Sequence, residues 1–120
     1  MDDRGKVIGI GGTFFRARDP EALKAWYTEH LGLPDAVFQS PAGTLVWGAF
    51  AEDTDYFGPS GQQWMLNYRV DDLDAVLDRL RDAGVEVLDK RQDQEGVGRF
   101  GWAVDPEGNR FELWEPAEGM

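Results

Sequence analysis

At 120 residues the chain has room for one domain with a substantial core and none for a separate regulatory domain. It contains no cysteine, which excludes disulfides, thiolate metal ligands and a cysteine nucleophile. With 12 basic against 23 acidic residues the formal net charge is −11, which repels a phosphate backbone or an anionic membrane and favours a cationic ligand, although solubility alone also accounts for it.

The start, MDDRGKVIG, lacks the basic and apolar runs of a secretory leader, and no segment approaches the roughly 18 apolar residues of a membrane span. A soluble, cytoplasmic protein is expected. From Lys6 to Arg18 the β-branched and aromatic residues of KVIGIGGTFFRAR predict a strand. Its GIGG run leads into TFF and not into a helix N-terminus, so it lacks the mechanism of a phosphate-binding turn. Asp19 and Pro20 then supply a helix N-cap and a first-turn proline. Leu23, Trp26, Tyr27 and Leu31 form one apolar stripe over Pro20 to Leu31, and Gly32 is a natural stop.

DAVFQS and TLVWGAF predict two more strands, whereas the Asp, Gly, Pro and Ser of AEDTDYFGPSGQ predict a loop where a fourth would stand. A second strand-to-helix passage follows. QWMLNYRV ends at Asp71-Asp72, a helix carries Leu73, Val76, Leu77 and Leu80 on one face, and Gly84 closes it. The two helix-ending glycines lie 52 residues apart, which marks an internal repeat of about half the chain. VEVLDK, VGRFGWAV and RFELWE are the last strands, the final pair joined by a type I turn at Asp105-Pro106-Glu107-Gly108.

The expected fold is α+β: two βαβββ units, at about residues 6–62 and 63–117 of a single domain, form a curved mixed sheet around a cleft, with both helices on the outer face. Side-chain alternation in the last strand puts Phe111 and Leu113 in the core under the helices and Arg110, Glu112 and Trp114 on the cleft side. A carboxylate at the centre of a core strand is the most pointed chemical signal in the chain. The only histidine, His30, falls near the end of the first helix, away from the cleft, and is read as packing.

RARDPEALKAWYTEHLGL, YRVDDLDAVLDRLRDAGVEV and DPEGNRFELWEP together resemble the vicinal oxygen chelate superfamily, which includes glyoxalase I, extradiol dioxygenases and bleomycin-resistance proteins. The resemblance covers nearly the whole chain and implies the fold; the superfamily hosts several chemistries on it. Its metal-dependent members take ligands from the first and last strands of each unit. At those positions this chain has Gly12, Met65 and Glu112, with the fourth falling in the weakly written strand of the first unit, where no ligand is identified. One carboxylate is too little for a tight divalent site, so no metal or other cofactor is expected.

Alternation from Gly12, Met65 and Glu112 sketches the rest of the cleft. Phe14, Arg16, Met65, Asn67, Arg69 and Trp114 point inward, and Trp47 and Tyr56 join them from the aromatic series bracketing the long loop. Tyr56 and Phe57 read as candidates for a mobile lid. Glu112 is the candidate catalytic residue or polar anchor; the plain alternative is a salt bridge from Glu112 to Arg16 or Arg69. The leading functional expectation is a bleomycin-resistance-like protein binding a small organic ligand without a tight metal. The alternatives are a metal-dependent glyoxalase-like lyase or isomerase, or a dioxygenase, using Glu112 as a ligand, and a non-catalytic module whose cleft is filled. The resemblance also implies a homodimer.

Overall fold

The computed structural model describes residues 5–33, 36–41 and 43–120. The elements are β1 (Val7–Ala17), α1 (Pro20–Leu31), β2 (Val37–Ser40), β3 (Gly43–Ala51), β4 (Trp64–Val70), α2 (Leu73–Asp82), β5 (Val87–Gln94), β6 (Gly98–Val104) and β7 (Arg110–Pro116). The seven strands form one mixed sheet in the order β2-β3-β1-β4-β7-β6-β5. Its midline is the antiparallel pairing of β1 with β4, flanked on each side by a parallel pairing, β1 with β3 and β4 with β7.

The repeat appears in the capping chemistry. The Asp19 carboxylate accepts from the Ala22 amide at 3.1 Å, and the Asp72 carboxylate accepts from the Ala75 amide at 3.0 Å. Gly32, at φ 68°, ends α1 in the left-handed region, with its amide on the Thr28 carbonyl. At the other end of the chain the Gly108 amide donates to the Asp105 carbonyl at 3.0 Å, closing the turn between β6 and β7.

The topology corrects the placement of the missing strand. β3 runs parallel to β1 as β7 runs parallel to β4, so β3 is the last strand of the first half. Among the described residues the first half has no strand directly after its helix to match β5. Five residues separate Leu31 from Val37. After Ala51, which ends β3, EDTDYFGPSGQ is a loop, as its composition predicts, and it connects the two halves.

The two faces of the sheet are buried by different means. On the helix side Val70, Leu73, Val76, Leu77 and Leu113 form a buried cluster, joined by Tyr68, Leu80, Val87 and Phe111. α1 contributes less than its stripe promises: none of its residues is buried, and Trp26 and Leu31 remain 49% and 66% exposed. On the cleft side Val46, Phe57, Met65, Phe100, Trp102 and Trp114 form a second buried cluster. Among the described residues no helix is long and apolar enough to cross a membrane.

Candidate functional site

Glu112 stands at the centre of the cleft-side floor. β7 places it between β4 and β6, where its cross-strand neighbours are Asn67 and Trp102. It is 1% exposed, which for a carboxylate requires compensation. The Asn67 amide donates to Oε1 at 2.6 Å and the Trp102 indole donates to Oε2 at 3.0 Å. The Tyr56 hydroxyl, brought in by the connecting loop, also donates to Oε2. Neither Arg16 nor Arg69 is among these partners, so the salt-bridge alternative fails.

The electrostatics follow from this shell. Burial pushes the Glu112 carboxyl above its ordinary value of 4.5, opposed by the Tyr56, Asn67 and Trp102 hydrogen bonds and by the field of Lys90. Burial, and after it the adjacent carboxylate, drives the Tyr56 hydroxyl far above its usual range, so it stays a proton donor to Glu112. Tyr56→Phe is therefore expected to cost about 1.5–3 kcal/mol of stability, the range for hydrogen bonds to charged groups. It should also raise the proton affinity of Glu112 further, because one of the bonds that lowers it is gone. Carboxyl-carbon NMR titration of labelled protein measures the second effect.

Above Glu112 lies a hollow of about 200 Å³, walled mainly by Phe14, Val37, Val46, Phe50, Tyr56, Val97 and Phe100, with Gln92 and Gln94 at its polar side. Tyr56 holds its place by stacking on Phe50, ring centroids 4.9 Å apart, with its edge toward Phe14 and Trp102. Its neighbour Phe57, expected as part of a lid, is instead fully buried and anchors the loop.

The other expected ligand-facing residues divide into three groups. Met65, Asn67 and Trp114 are on the cleft side but lie within the floor; Trp114 stacks on Phe100 and donates from its indole to the Val97 carbonyl at 2.9 Å. Arg16 and Arg69 are clamps. Arg16 donates to the carbonyls of Glu52, Thr54 and Gln62 and lies over the Phe57 ring, tying down the connecting loop. Arg69 donates to the carbonyls of Thr44 and Met120 and covers Trp114. Trp47 requires correction: it is on the opposite face, edge-on to Phe15 and to Tyr27 of α1. Its register partner in β1 is Thr13, which alternation already assigns to the helix side.

Trp102 and Lys90 were not singled out from the sequence. The turn supplied the signal for Trp102, since Val104 pairs with Arg110 across it and counting inward brings Trp102 opposite Glu112. Lys90 reaches the site because its ammonium lies 5.1 Å from the Trp102 ring centroid and 5.7 Å from that of Tyr56. No local pattern announces that contact.

The register also completes the four positions that the resemblance implies for metal ligands. Asn67 pairs with Glu112 in the second half as Phe14 pairs with Gly48 in the first, so Gly48 is the counterpart of Glu112. The set is Gly12, Gly48, Met65 and Glu112. At Gly48 the space for a side chain is bounded by the Phe14 and Phe50 rings. At Gly12, with φ 151°, a Cβ would stand 1.6 Å from the Val46 carbonyl oxygen, pointing into β3 and not into the cleft. The groups turned toward Glu112 are N–H and O–H donors, which suit a carboxylate and repel a cation. Among the described residues no three His, Cys, Asp or Glu side chains converge. The residues present do not fit a divalent metal.

His30 is exposed and stacks on Trp26 at 4.6 Å, outside the cleft.

Comparison with known proteins agrees with this architecture. Among curated relatives, the anthracycline biosynthesis protein DnrV of Streptomyces peucetius is 35% identical over 71 residues, 52% of this chain and 26% of DnrV. CFP32 of Mycobacterium tuberculosis, which bears a glyoxylase name, is 29% identical over 105 residues, 82% of this chain and 40% of CFP32. The chain thus spans less than half the length of these relatives. Among solved structures, methylmalonyl-CoA epimerase from M. tuberculosis superposes with a TM-score of 0.67 at 23% identity, covering 92% of this chain and 89% of the epimerase. A Streptomyces coelicolor methylmalonyl-CoA epimerase variant, solved with 2-nitronate-propionyl-CoA, gives 0.70 at 18% identity, covering 93% and 99%. Residues 12–114 match the glyoxalase-like domain, and the chain belongs to that family, within the vicinal oxygen chelate superfamily.

Proposed function

We propose that this glyoxalase-like protein binds a small organic ligand in the cleft above Glu112, without a tightly held divalent metal, and that Glu112 is the ligand's polar anchor. The supporting observation is a buried carboxylate, hydrogen-bonded by three neutral donors, at the base of an aromatic-walled hollow. Such a group is kept at an energetic cost that packing alone does not require. Its raised proton affinity suits it to share or exchange a proton with a bound carbonyl or hydroxyl group. The names of the relatives fit a small organic ligand: one belongs to anthracycline biosynthesis, and two of the structural neighbours are methylmalonyl-CoA epimerases. A metal-dependent lyase, isomerase or dioxygenase is disfavoured by the two glycines and the methionine at the ligand positions.

A homodimer belongs to the same reading. The outer face carries a trough of about 730 Å³ with Trp64, Leu66, Tyr68 and Phe111 among its lining residues. A second copy would cover that apolar surface.

The test uses the tryptophans of the floor. Titration with a hydroxyanthraquinone and a short acyl thioester, followed by tryptophan fluorescence, should show saturable quenching by at least one, weakened about tenfold or more in Glu112→Gln, as expected for loss of a charged hydrogen-bonding group. Protein purified without chelator or affinity tag should carry far less than one metal ion per chain. Stoichiometric metal lost on Glu112→Gln would overturn the metal-free reading, and no quenching by either compound would count against the ligand-binding one.

A further inference from the structure

We propose that the hollow between Lys90 and Arg110, on the far side of Tyr56 from the Glu112 cleft, is an anion subsite, so that the ligand of this cleft carries a carboxylate or phosphate at its outer end. The inference deepens the ligand-binding reading and rests on it.

Size makes the first argument. The space above Glu112, about 200 Å³, is below the roughly 300–1,000 Å³ of ordinary small-molecule sites. A second hollow of about 470 Å³ is lined by Asp55, Tyr56, Gly58, Pro59, Lys90 and Arg110. Tyr56 lines both. A ligand that displaces its ring gains access to both spaces at once.

Charge makes the second. Elsewhere in the chain Arg91 and Arg99 share Asp74 at 2.7 and 2.9 Å, and Arg16 and Arg69 are held by main-chain carbonyls. Among the described residues neither Lys90 nor Arg110 forms an ion pair, although Asp55 lines the same hollow. Lys90 is held over the Trp102 and Tyr56 rings, a contact that positions the ammonium without neutralising it and leaves its N–H groups to be satisfied by solvent or ligand. Arg110 donates one N–H to the Tyr56 carbonyl at 3.0 Å, while its Nε is buried beside Gly58 without a partner. Two cations therefore flank the ring that covers Glu112. A ligand oxyanion placed there is matched by charge at one end while its apolar body enters the aromatic hollow.

This also revises the expectation drawn from the overall charge. A net charge of −11 acts at long range and is screened over about 8–10 Å at moderate salt, whereas Lys90 and Arg110 act by contact.

The test is a matched trio of probes: 3-phenylpropionate, 3-phenylpropionamide and 3-phenylpropylammonium. They are titrated at low ionic strength by tryptophan fluorescence into the wild type, Lys90→Gln and Lys90→Glu. Lys90 is exposed, so these variants keep the fold. The acid should bind about tenfold tighter than the amide, with Lys90→Gln removing most of that preference. Lys90→Glu should put the ammonium ahead of the acid. An acid that binds no better than the amide, or that ignores the Lys90 substitutions, overturns the subsite and leaves the cleft reading standing if the amide still binds. No binding by any of the three overturns both.

Discussion

Glu112→Leu is expected to destabilise the fold by several kcal/mol, and Glu112→Gln by much less while removing a pH dependence. In the leucine variant the Asn67 amide, the Trp102 indole and the Tyr56 hydroxyl lose their common acceptor. Stranded buried donors cost about 1–3 kcal/mol each, against a typical total stability of 5–15 kcal/mol. Glutamine keeps the shape and one acceptor oxygen. Its informative effect is on pH. Burial raises the Glu112 carboxyl above 4.5, so the folded chain still holds this proton at a pH where the unfolded chain has released it. The resulting stabilisation is complete below the unfolded value and is lost as pH rises through the folded one. Wild type minus Glu112→Gln should therefore fall with rising pH across that window and level off above it, each tenfold in proton affinity being worth about 1.4 kcal/mol. Urea denaturation of both proteins at a series of pH values measures the difference, in which the remaining acidic groups cancel. A difference that rises with pH would mean that the three donors outweigh burial.

Gly12→Ala is expected to be the most damaging single-methyl addition in the sheet. Its new Cβ would stand 1.6 Å from the Val46 carbonyl oxygen, a main-chain atom held by the β1–β3 pairing, at a φ of 151° that side chains avoid. The cost should be roughly 4 kcal/mol or more, the range of severe core lesions, and full unfolding is within it. Gly9→Ala is the control, because its Cβ would meet nothing within 4 Å; it should change stability by no more than about 1 kcal/mol. The same geometry bears on metal binding. Gly12→His would put a ligand residue at a superfamily position, yet the side chain would leave the backbone toward β3. Equilibrium dialysis against zinc should find no gain over the wild type, and a well-folded Gly12→His protein that captures one zinc would refute this account of β1.

How much of this was legible beforehand varies by element. Both helices were readable because their signals are local: Asp19-Pro20 and Asp71-Asp72 begin them, and Gly32 and Gly84 follow them. Glu112 was readable because strand alternation is local too, and β7 is regular from Arg110 to Pro116. β1 shows where that rule weakens. Its pairing with β4 shifts register between Ile10 and Gly12, and a Cβ on Gly11, not on Gly12, would point at Asn67 and Trp114. Alternation downstream of the shift still placed Phe14 on the cleft side. Trp47 was misassigned because its face depends on the register of β3 against β1, which no local pattern specifies.

The sequence by itself determined the elements, the half-chain repeat, the absence of thiol chemistry and the presence of one acid on the inner face of the last strand, since each follows from residue type and short-range spacing. Only the tertiary structure decided which groups surround that acid. Tyr56 and Asn67 come from 56 and 45 residues away, and Lys90 and Trp102 from strands whose register had first to be set. It likewise made β3 the last strand of its half, placing Gly48 opposite Phe14, and it consumed Arg16 and Arg69 on main-chain carbonyls while leaving Lys90 and Arg110 beside a hollow. The reason is physical: hydrogen-bond partners, desolvation and charge fields are set by distances in space, and those between sequence-distant residues exist only once the sheet has closed its pairings.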